Sequence, residues 1–260
     1  MSDGDEGVVR LERHGAVAVL TLDRPAKHNA FTMEMVHRIE VLTREVAVDC
    51  DIACLVVTGA GERAFSAGGD LDSLLPATVG AGIDTVSADP ARRFFSELFT
   101  PVVAAVRGIC VGGGLELMLG TDLRIASEDA RFGLGEVRFG LIPGAGSHIR
   151  LPRQIPWAIA MQMLLTGEPV SAARAYEVGL VNEVVAGPAV LDRAMAVASG
   201  IAANAPLAVR TAKEAAVRGL ALTDGFVLEH ALNTRVLRSS DAVEGPRAFT
   251  EKRPPRFTGR

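Results

Sequence analysis

Two stretches of this chain follow one plan, and that repetition limits the folds open to it more than any other feature. In the first, the apolar run Ala53–Thr58 leads through a short connector to Gly68-Gly69 and a helix beginning near Asp70. In the second, the β-branched run Val102–Val106 leads to Gly108 and then to three consecutive glycines, Gly112, Gly113 and Gly114. The apolar helix start Leu115-Glu116-Leu117-Met118-Leu119 follows at once. Short apolar runs of this kind read as buried strands. Adjacent glycines lose much backbone entropy on folding, so a compact chain needs a steric reason for them. The reason open here is backbone that must approach a ligand or a neighbouring helix with no side chain between. The first N–H groups of a helix lack partners within it, and its N-terminus is electropositive. Gly69 and Gly113 hold corresponding places in the two units. Packed side by side, such units can aim two N–H groups at one point, as an oxyanion hole requires. The plainer alternative is two strand-to-helix turns that use glycine only for positive φ. Neither GxGxxG nor GxxxxGK[ST] occurs, so neither stretch is a dinucleotide fingerprint or a Walker loop.

Two carboxylates stand near these turns. Glu116 lies one turn into a helix otherwise apolar, so it either takes the one wet face or is held for chemistry. Glu136 lies in the segment ARFGLGEVRFGLIPGAG (130–146), which holds five of the chain's 27 glycines and Pro143. A segment so composed makes turns that pass close to something. Carboxylates on two separate elements beside an oxyanion hole suit general acid–base catalysis, worth about 10²–10⁴-fold. Against that, Glu136 can simply cap its turn or pair with Arg131 or Arg138. His28 and His37 have no partner at metal-ligand spacing and read as surface residues. Cys50, Cys54 and Cys110 form no CxxC and match no zinc spacing, so no metal is expected. Three thiols without a disulfide framework suit a reducing cytosol.

The remaining chain reads in order as mixed α/β, becoming almost all helix in its last quarter. Val8–Leu11 and Val17–Leu22 flank His14-Gly15 as a hairpin, and Thr32 caps a helix buried through Val36, Ile39, Leu42 and Val46. Pro76–Ala91 reads as a loop, either a lid over a substrate or a surface excursion, and Arg92–Phe99 as resumed helix. Leu123–Ala126 and Leu180–Val185 are strands, with helices from Trp157 to Gly167 and from Ser171 to Gly179 between them. From Val190 to near Lys252 the pattern is helical, broken at Ala205-Pro206 and Gly219, with apolar residues at Val227, Leu228, Leu232, Val236 and Leu237. Hydrophobic residues make up 48% and aromatics only 5%, so the core must be Val, Leu, Ile and Ala. A net charge of −4 argues against a nucleic-acid binder working by phosphate neutralisation. No apolar run approaches the ~18 residues of a membrane span. The start MSDGDEG is the reverse of a secretory peptide, so a cytoplasmic protein is expected.

The segments DRPAKHNAFT, AFSAGGDL, VGGGLELMLGTD, FGLGEVRFGLIPGAG, LLTGEPVSAARAYEVGLVNEVV and EGPRAFTEKRPPRF together resemble the enoyl-CoA hydratase/isomerase (crotonase) superfamily, in order and spacing over essentially the whole chain. The resemblance implies an α/β spiral of ββα units over residues 1–195 and a C-terminal helical trimerisation region over 196–260. It implies homotrimers or homohexamers, with coenzyme A arriving on the thioester substrate and no separate cofactor. The oxyanion donors then map to Gly69 and Gly113, agreeing with the repeated units. Hydratases of the family carry one glutamate in GGGxE and one in FGxxE, and Glu116 and Glu136 occupy both places. Family analogy gives Glu116 the water and Glu136 the proton for the α-carbon. CoA is expected along Ala26, Lys27 and His28, along Ala67, Gly69, Asp70 and Leu71, at Gly112 and Gly113, and at Pro143 and Gly144. Lys27 and Lys252 are candidates for its phosphates. Gly69 stands where hydratases often have Ala, which keeps the donor and loosens the turn. The activity implied is reversible hydration of a trans-2-enoyl-CoA. Its rivals are a carnitinyl-CoA dehydratase or enoyl-CoA isomerase activity within the superfamily, and a non-catalytic interaction or RNA-binding relative outside catalysis. The net acidity and the two glutamates count against the last.

Overall fold

The structure is a computed structural model that describes residues 7–82 and 89–258. Strands β1 (Val8–His14) and β2 (Val17–Asp23) form the antiparallel hairpin. The Thr32 hydroxyl accepts the Met35 N–H at 3.2 Å and caps α1 (Met33–Val48), which buries the four residues anticipated plus Met35. A unit then repeats: one strand enters a large sheet, a short strand enters a small sheet, and a helix follows. The first unit is β3 (Cys54–Gly59), β4 (Ala64–Ser66) and α2 (Leu74–Ala81). The second is β5 (Val102–Val106), β6 (Ile109–Val111) and α3 (Gly113–Leu119). The third is β7 (Leu123–Ser127), β8 (Arg131–Gly133), a 3-10 turn over Glu136–Phe139, and α4 (Ser147–Gln154). Next come α5 (Trp157–Thr166), β9 (Val170–Ser171), α6 (Ala172–Glu177) and β10 (Glu183–Val185). Four helices close the chain: α7 (Val190–Ala202), α8 (Pro206–Gly219), α9 (Leu222–Leu237) and α10 (Ser240–Thr250).

The large sheet runs β1-β2-β3-β5-β7-β10 and the small one β4-β6-β8-β9. Both are parallel except at the pairs β1–β2 and β8–β9. The large sheet is covered on both faces at its centre, which explains why β3 and β5 run apolar rather than alternating, while the edge strand β1 alternates. Leu55 and Val57 of β3 face the main core, whereas Cys54 and Val56 face a second cluster completed by Val190, Ala194 and Ala198 of α7. Position 195 falls within α7, so one helix spans the boundary drawn at 195/196. Among the described residues no helix is long and apolar enough to cross a membrane.

Three local expectations need correction. Arg92–Phe99 is a run of turns, not a helix. There the Ser96 hydroxyl takes the Arg93 N–H at 3.1 Å, a side-chain bond that competes with helical pairing, and Phe95 has a φ of 60°. The helix placed near Asp70 begins at Leu74, because the Asp70 carboxylate ties up the N–H groups of Asp72 and Ser73 in a preceding turn. The last strand starts at Glu183 rather than Leu180, since Leu180 and Val181 turn back to bond the Ala175 carbonyl. The loop read over Pro76–Ala91 is helical at its start, in α2, and its residues 83–88 lie outside the described residues.

Candidate active site

Strand order in the small sheet assembles the site. β4, β6 and β8 are parallel neighbours, so the segments leaving their C-terminal ends emerge side by side. Those segments hold Gly68-Gly69, Gly112-Gly113 and Glu136. Contact between the two glycine turns is close. A Cβ on Gly68, whose φ is 87°, would stand 2.9 Å from the Gly113 nitrogen and 3.0 Å from the Val111 carbonyl oxygen. Only glycine permits that approach. The Phe31 N–H bonds the Gly68 carbonyl at 2.7 Å and the Asp70 N–H bonds the Phe31 carbonyl at 2.9 Å, which leaves the Gly69 N–H outside the bridge. Gly113 is the first residue of α3, so its N–H has no partner within the helix.

Glu116 is 5% exposed on α3. Its Oε1 accepts the Ala145 N–H at 2.6 Å and the Ser147 hydroxyl at 3.1 Å. Burial raises its pKa, and the Glu229 carboxylate adds to the rise; the bonds from Ala145 and Ser147 work the other way. Glu136 opens the 3-10 turn, with Oε1 3.3 Å from where a Cβ on Gly112 would lie. Its Oε2 is shielded from solvent and has no hydrogen-bond partner. Burial first, and repulsion from Glu116 second, push its carboxyl up to about 8. One carboxylate is thus furnished with donors that favour its charge, while the other has none at Oε2. The ion-pair alternative for Glu136 does not hold: Arg138 pairs with Glu168, and Arg131 bonds the Ala130 carbonyl.

The stretches expected along CoA fall into two groups. Ala26 and Lys27 lie exposed in a single turn over Pro25–Lys27 closed by half-buried His28, and the His28 carbonyl accepts the Ala67 N–H at 2.9 Å, which sets that turn against the first glycine unit. Lys27 pairs with Asp72 at 3.5 Å, and Leu71 is exposed. Asp70 points inward instead. Burial alone would raise its carboxyl, but hydrogen bonds from Arg24, at 2.5 Å, and from Ser73 hold it below the ordinary value. Gly144 adjoins Ala145, while buried Pro143 offers its carbonyl to Asn233 at 3.3 Å. Lys252 follows α10 with its side chain exposed and, among the described residues, unpaired. A cavity of about 530 Å³ lies at the opposite end of α3, against Leu119, Gly120 and Arg150. It does not include either glutamate, so the carboxylates and glycine turns, rather than cavity size, mark the site.

Ala145, Ser147 and Glu229 were missed in the sequence. A signal for the last was present: Phe226, Glu229, Asn233 and Leu237 fall at helical spacing, and these are the residues α9 buries.

Two glycine turns in contact, one of them opening α3, with buried Glu116 and half-buried Glu136 beside them, are what the three repeated units bring together. The comparisons with known proteins say which group this is. The chain matches the Enoyl-CoA hydratase/isomerase family over residues 12–260 and belongs to it. It is 39% identical over 260 residues to enoyl-CoA hydratase EchA19 of Mycobacterium tuberculosis, covering 96% of each chain. It is 40% identical to (E)-benzylidenesuccinyl-CoA hydratase of Thauera aromatica, covering 96% of this chain and 99% of the relative. Among solved structures, carnitinyl-CoA hydratase from Mycobacterium avium superposes with a TM-score of 0.86 at 37% identity, covering 98% of this chain and 99% of that one.

Proposed function

We infer that the protein is an enoyl-CoA hydratase, adding water reversibly across the double bond of a trans-2-enoyl-CoA. The observation that carries this is a pair of glutamates, buried Glu116 furnished with donors and half-buried Glu136 with a solvent-shielded, unbonded Oε2, beside two touching glycine turns. As water attacks the β-carbon, the double-bond electrons move onto the thioester oxygen, where the Gly69 and Gly113 N–H groups receive the charge. Glu116, ionised, takes a proton from the water, and its hydroxyl bonds to the β-carbon. Glu136, with its carboxyl pushed up to about 8, carries a proton at neutral pH and gives it to the α-carbon. Proton exchange with solvent resets both groups. Dehydration is the same path reversed. That supports a second reading, a carnitinyl-CoA dehydratase, since relatives of that name from Proteus are 38% identical over 97% of this chain.

CoA lies along the Ala26–His28 turn, Ala67, Gly69, Leu71 and the Gly112–Gly113 turn, with Lys27 and Lys252 toward its phosphates. It arrives with the substrate, and no separate cofactor is called for. The assembly is a homotrimer or homohexamer, supported by the exposed apolar stripe Val227 (45%), Leu228 (59%) and Leu232 (37%) on α9. The free thiols fit a cytoplasmic enzyme. Product analysis with crotonyl-CoA, crotonobetainyl-CoA and a 3-enoyl-CoA decides among the activities. Hydration of crotonyl-CoA supports the reading, and conversion of the 3-enoyl-CoA alone contradicts it.

A further inference from the structure

Helix α9 packs its outward face with apolar residues and turns a polar one inward, toward the segment that holds Glu116. Glu229 is 2% exposed and Asn233 3%. The Asn233 amide donates to the carbonyls of Ile142 at 3.1 Å and Pro143 at 3.3 Å. Glu229 Oε1 accepts the His148 N–H at 3.1 Å and meets His148 Nδ1 at 3.1 Å, while Oε2 pairs with Arg93 at 3.2 Å. Both ends of the segment 142–148 are therefore gripped by one helix face. The middle of that segment supplies Ala145 and Ser147, whose N–H and hydroxyl bond Glu116. Burying an ion pair and an amide is costly unless every group is satisfied, and here the Asn233 amide and Glu229 Oε1 spend their bonds on this one segment while Oε2 is met by Arg93.

We propose that Glu229 and Asn233 are positioning residues for Glu116, acting through the 142–148 segment that α9 holds in place. This rests on the hydratase reading only for what Glu116 does, not for how it is held. Asn233 acts by geometry alone. Glu229 acts by geometry and by charge. The charged groups facing Glu116 are Glu136 from the 3-10 turn, His148 and Arg150 from α4, and Glu229 from α9. Arg93 faces Glu229 from the 89–100 segment. Replacing Glu229 by Gln keeps an acceptor for the His148 N–H but removes one negative charge, leaving Arg93 and Arg150 less opposed. Ionised Glu116 is then favoured.

The test compares the full-length wild type with Asn233→Ala and Glu229→Gln by two readouts. Amide hydrogen exchange at Ala145 and His148 reports whether the segment stays in place, whatever the enzyme turns over. Asn233→Ala is expected to speed exchange at Ala145 at least ~10-fold while amides of β5 keep their protection, because only local opening is made easier. The kcat–pH profile with an enoyl-CoA substrate is the second readout. Asn233→Ala lowers kcat by about 10-fold with KM nearly unchanged, the mark of a misplaced catalytic group. Glu229→Gln moves the acidic limb of kcat to lower pH, which a merely structural role would not do. Unchanged exchange at Ala145 in Asn233→Ala overturns the proposal even if no substrate is turned over. So does a Glu229→Gln profile that falls in amplitude with its acidic limb unmoved. A wild type that hydrates nothing, with exchange at Ala145 still dependent on Asn233, overturns the hydratase reading and leaves the positioning intact.

Discussion

Glu116 and Glu136 are the same residue type on segments that meet at one pair of glycine turns, yet Glu116 is buried, Glu136 is half-buried, and their surroundings differ in kind. Glu116 sits on a regular helix and receives two hydrogen bonds on one oxygen. Glu136 sits on a single 3-10 turn, with an oxygen that no donor reaches. Donors aimed at a carboxylate stabilise its charged form, and burial without donors stabilises the neutral one. The comparison teaches that, in the proposed mechanism, the division of labour between base and acid follows from the partners rather than from the residue type. Because the two groups repel each other, their titrations are linked, and a pH profile reads the pair's apparent values.

The largest expected effects come from removing either proton-exchanging group. Glu116→Gln and Glu136→Gln keep shape but cannot exchange a proton, and each should lower kcat by about 10²–10⁴-fold. They should differ in what survives of the pH profile. Residual activity of Glu116→Gln should lose the acidic limb, and that of Glu136→Gln the basic one. Steady-state rates across the pH range check both. Somewhat smaller is the loss from the shared oxyanion site. Gly113→Pro removes one donor at the first position of α3, a place where helices accept proline. With the fold verified by circular dichroism, turnover should fall about 10²–10³-fold. Normal activity in a folded variant would remove Gly113 from the donor pair.

Smaller still is Ser147→Ala, which takes from Glu116 one of the two bonds that distinguish it. Losing a donor to the charged form raises the pKa, so the acidic limb should move up by about one unit with the plateau little changed. A limb that stays put breaks the claimed contrast. The smallest effect is on stability. A carboxyl whose folded value lies above its unfolded one binds more protons when folded, so ionising Glu136 costs stability as pH rises from its ordinary 4.5 to about 8. Glu136→Gln is free of that cost. Its Tm, measured by calorimetry, should gain progressively on the wild type across this window. The gap should stop growing above it.

The sequence carried the spiral and the site to different depths. The two strand–glycine–helix units were legible because apolar runs and consecutive glycines admit few local solutions, and both proposed donors lie where those units abut. The glutamates stood out by their place beside those turns, and the family resemblance supplied the roles proposed for them. What it left hidden was environment. Nothing in the sequence set the Ser147 hydroxyl against Glu116, because that contact spans 31 positions and depends on how α4 packs. On α9, Leu228 and Leu232 drew the eye to the exposed face while Glu229 and Asn233 took the buried one. Arg92–Phe99 failed for a local reason, a serine hydroxyl competing for a backbone N–H. Side-chain bonds of this sort are invisible to periodicity.

The central claim is that the two glutamates serve one addition event from opposite protonation states. Turnover of a trans-2-enoyl-CoA by the wild type, the two single Gln variants and the double variant tests it most directly, followed by loss of the conjugated thioester absorbance. Groups that act as a unit are strongly non-additive, so the double variant should be slowed little more than the slower single one. Binding of the thioester should stay near the wild-type value throughout, since the backbone donors are intact. Full hydration activity in Glu116→Gln, or a double variant slowed by the product of the single losses, would contradict the account.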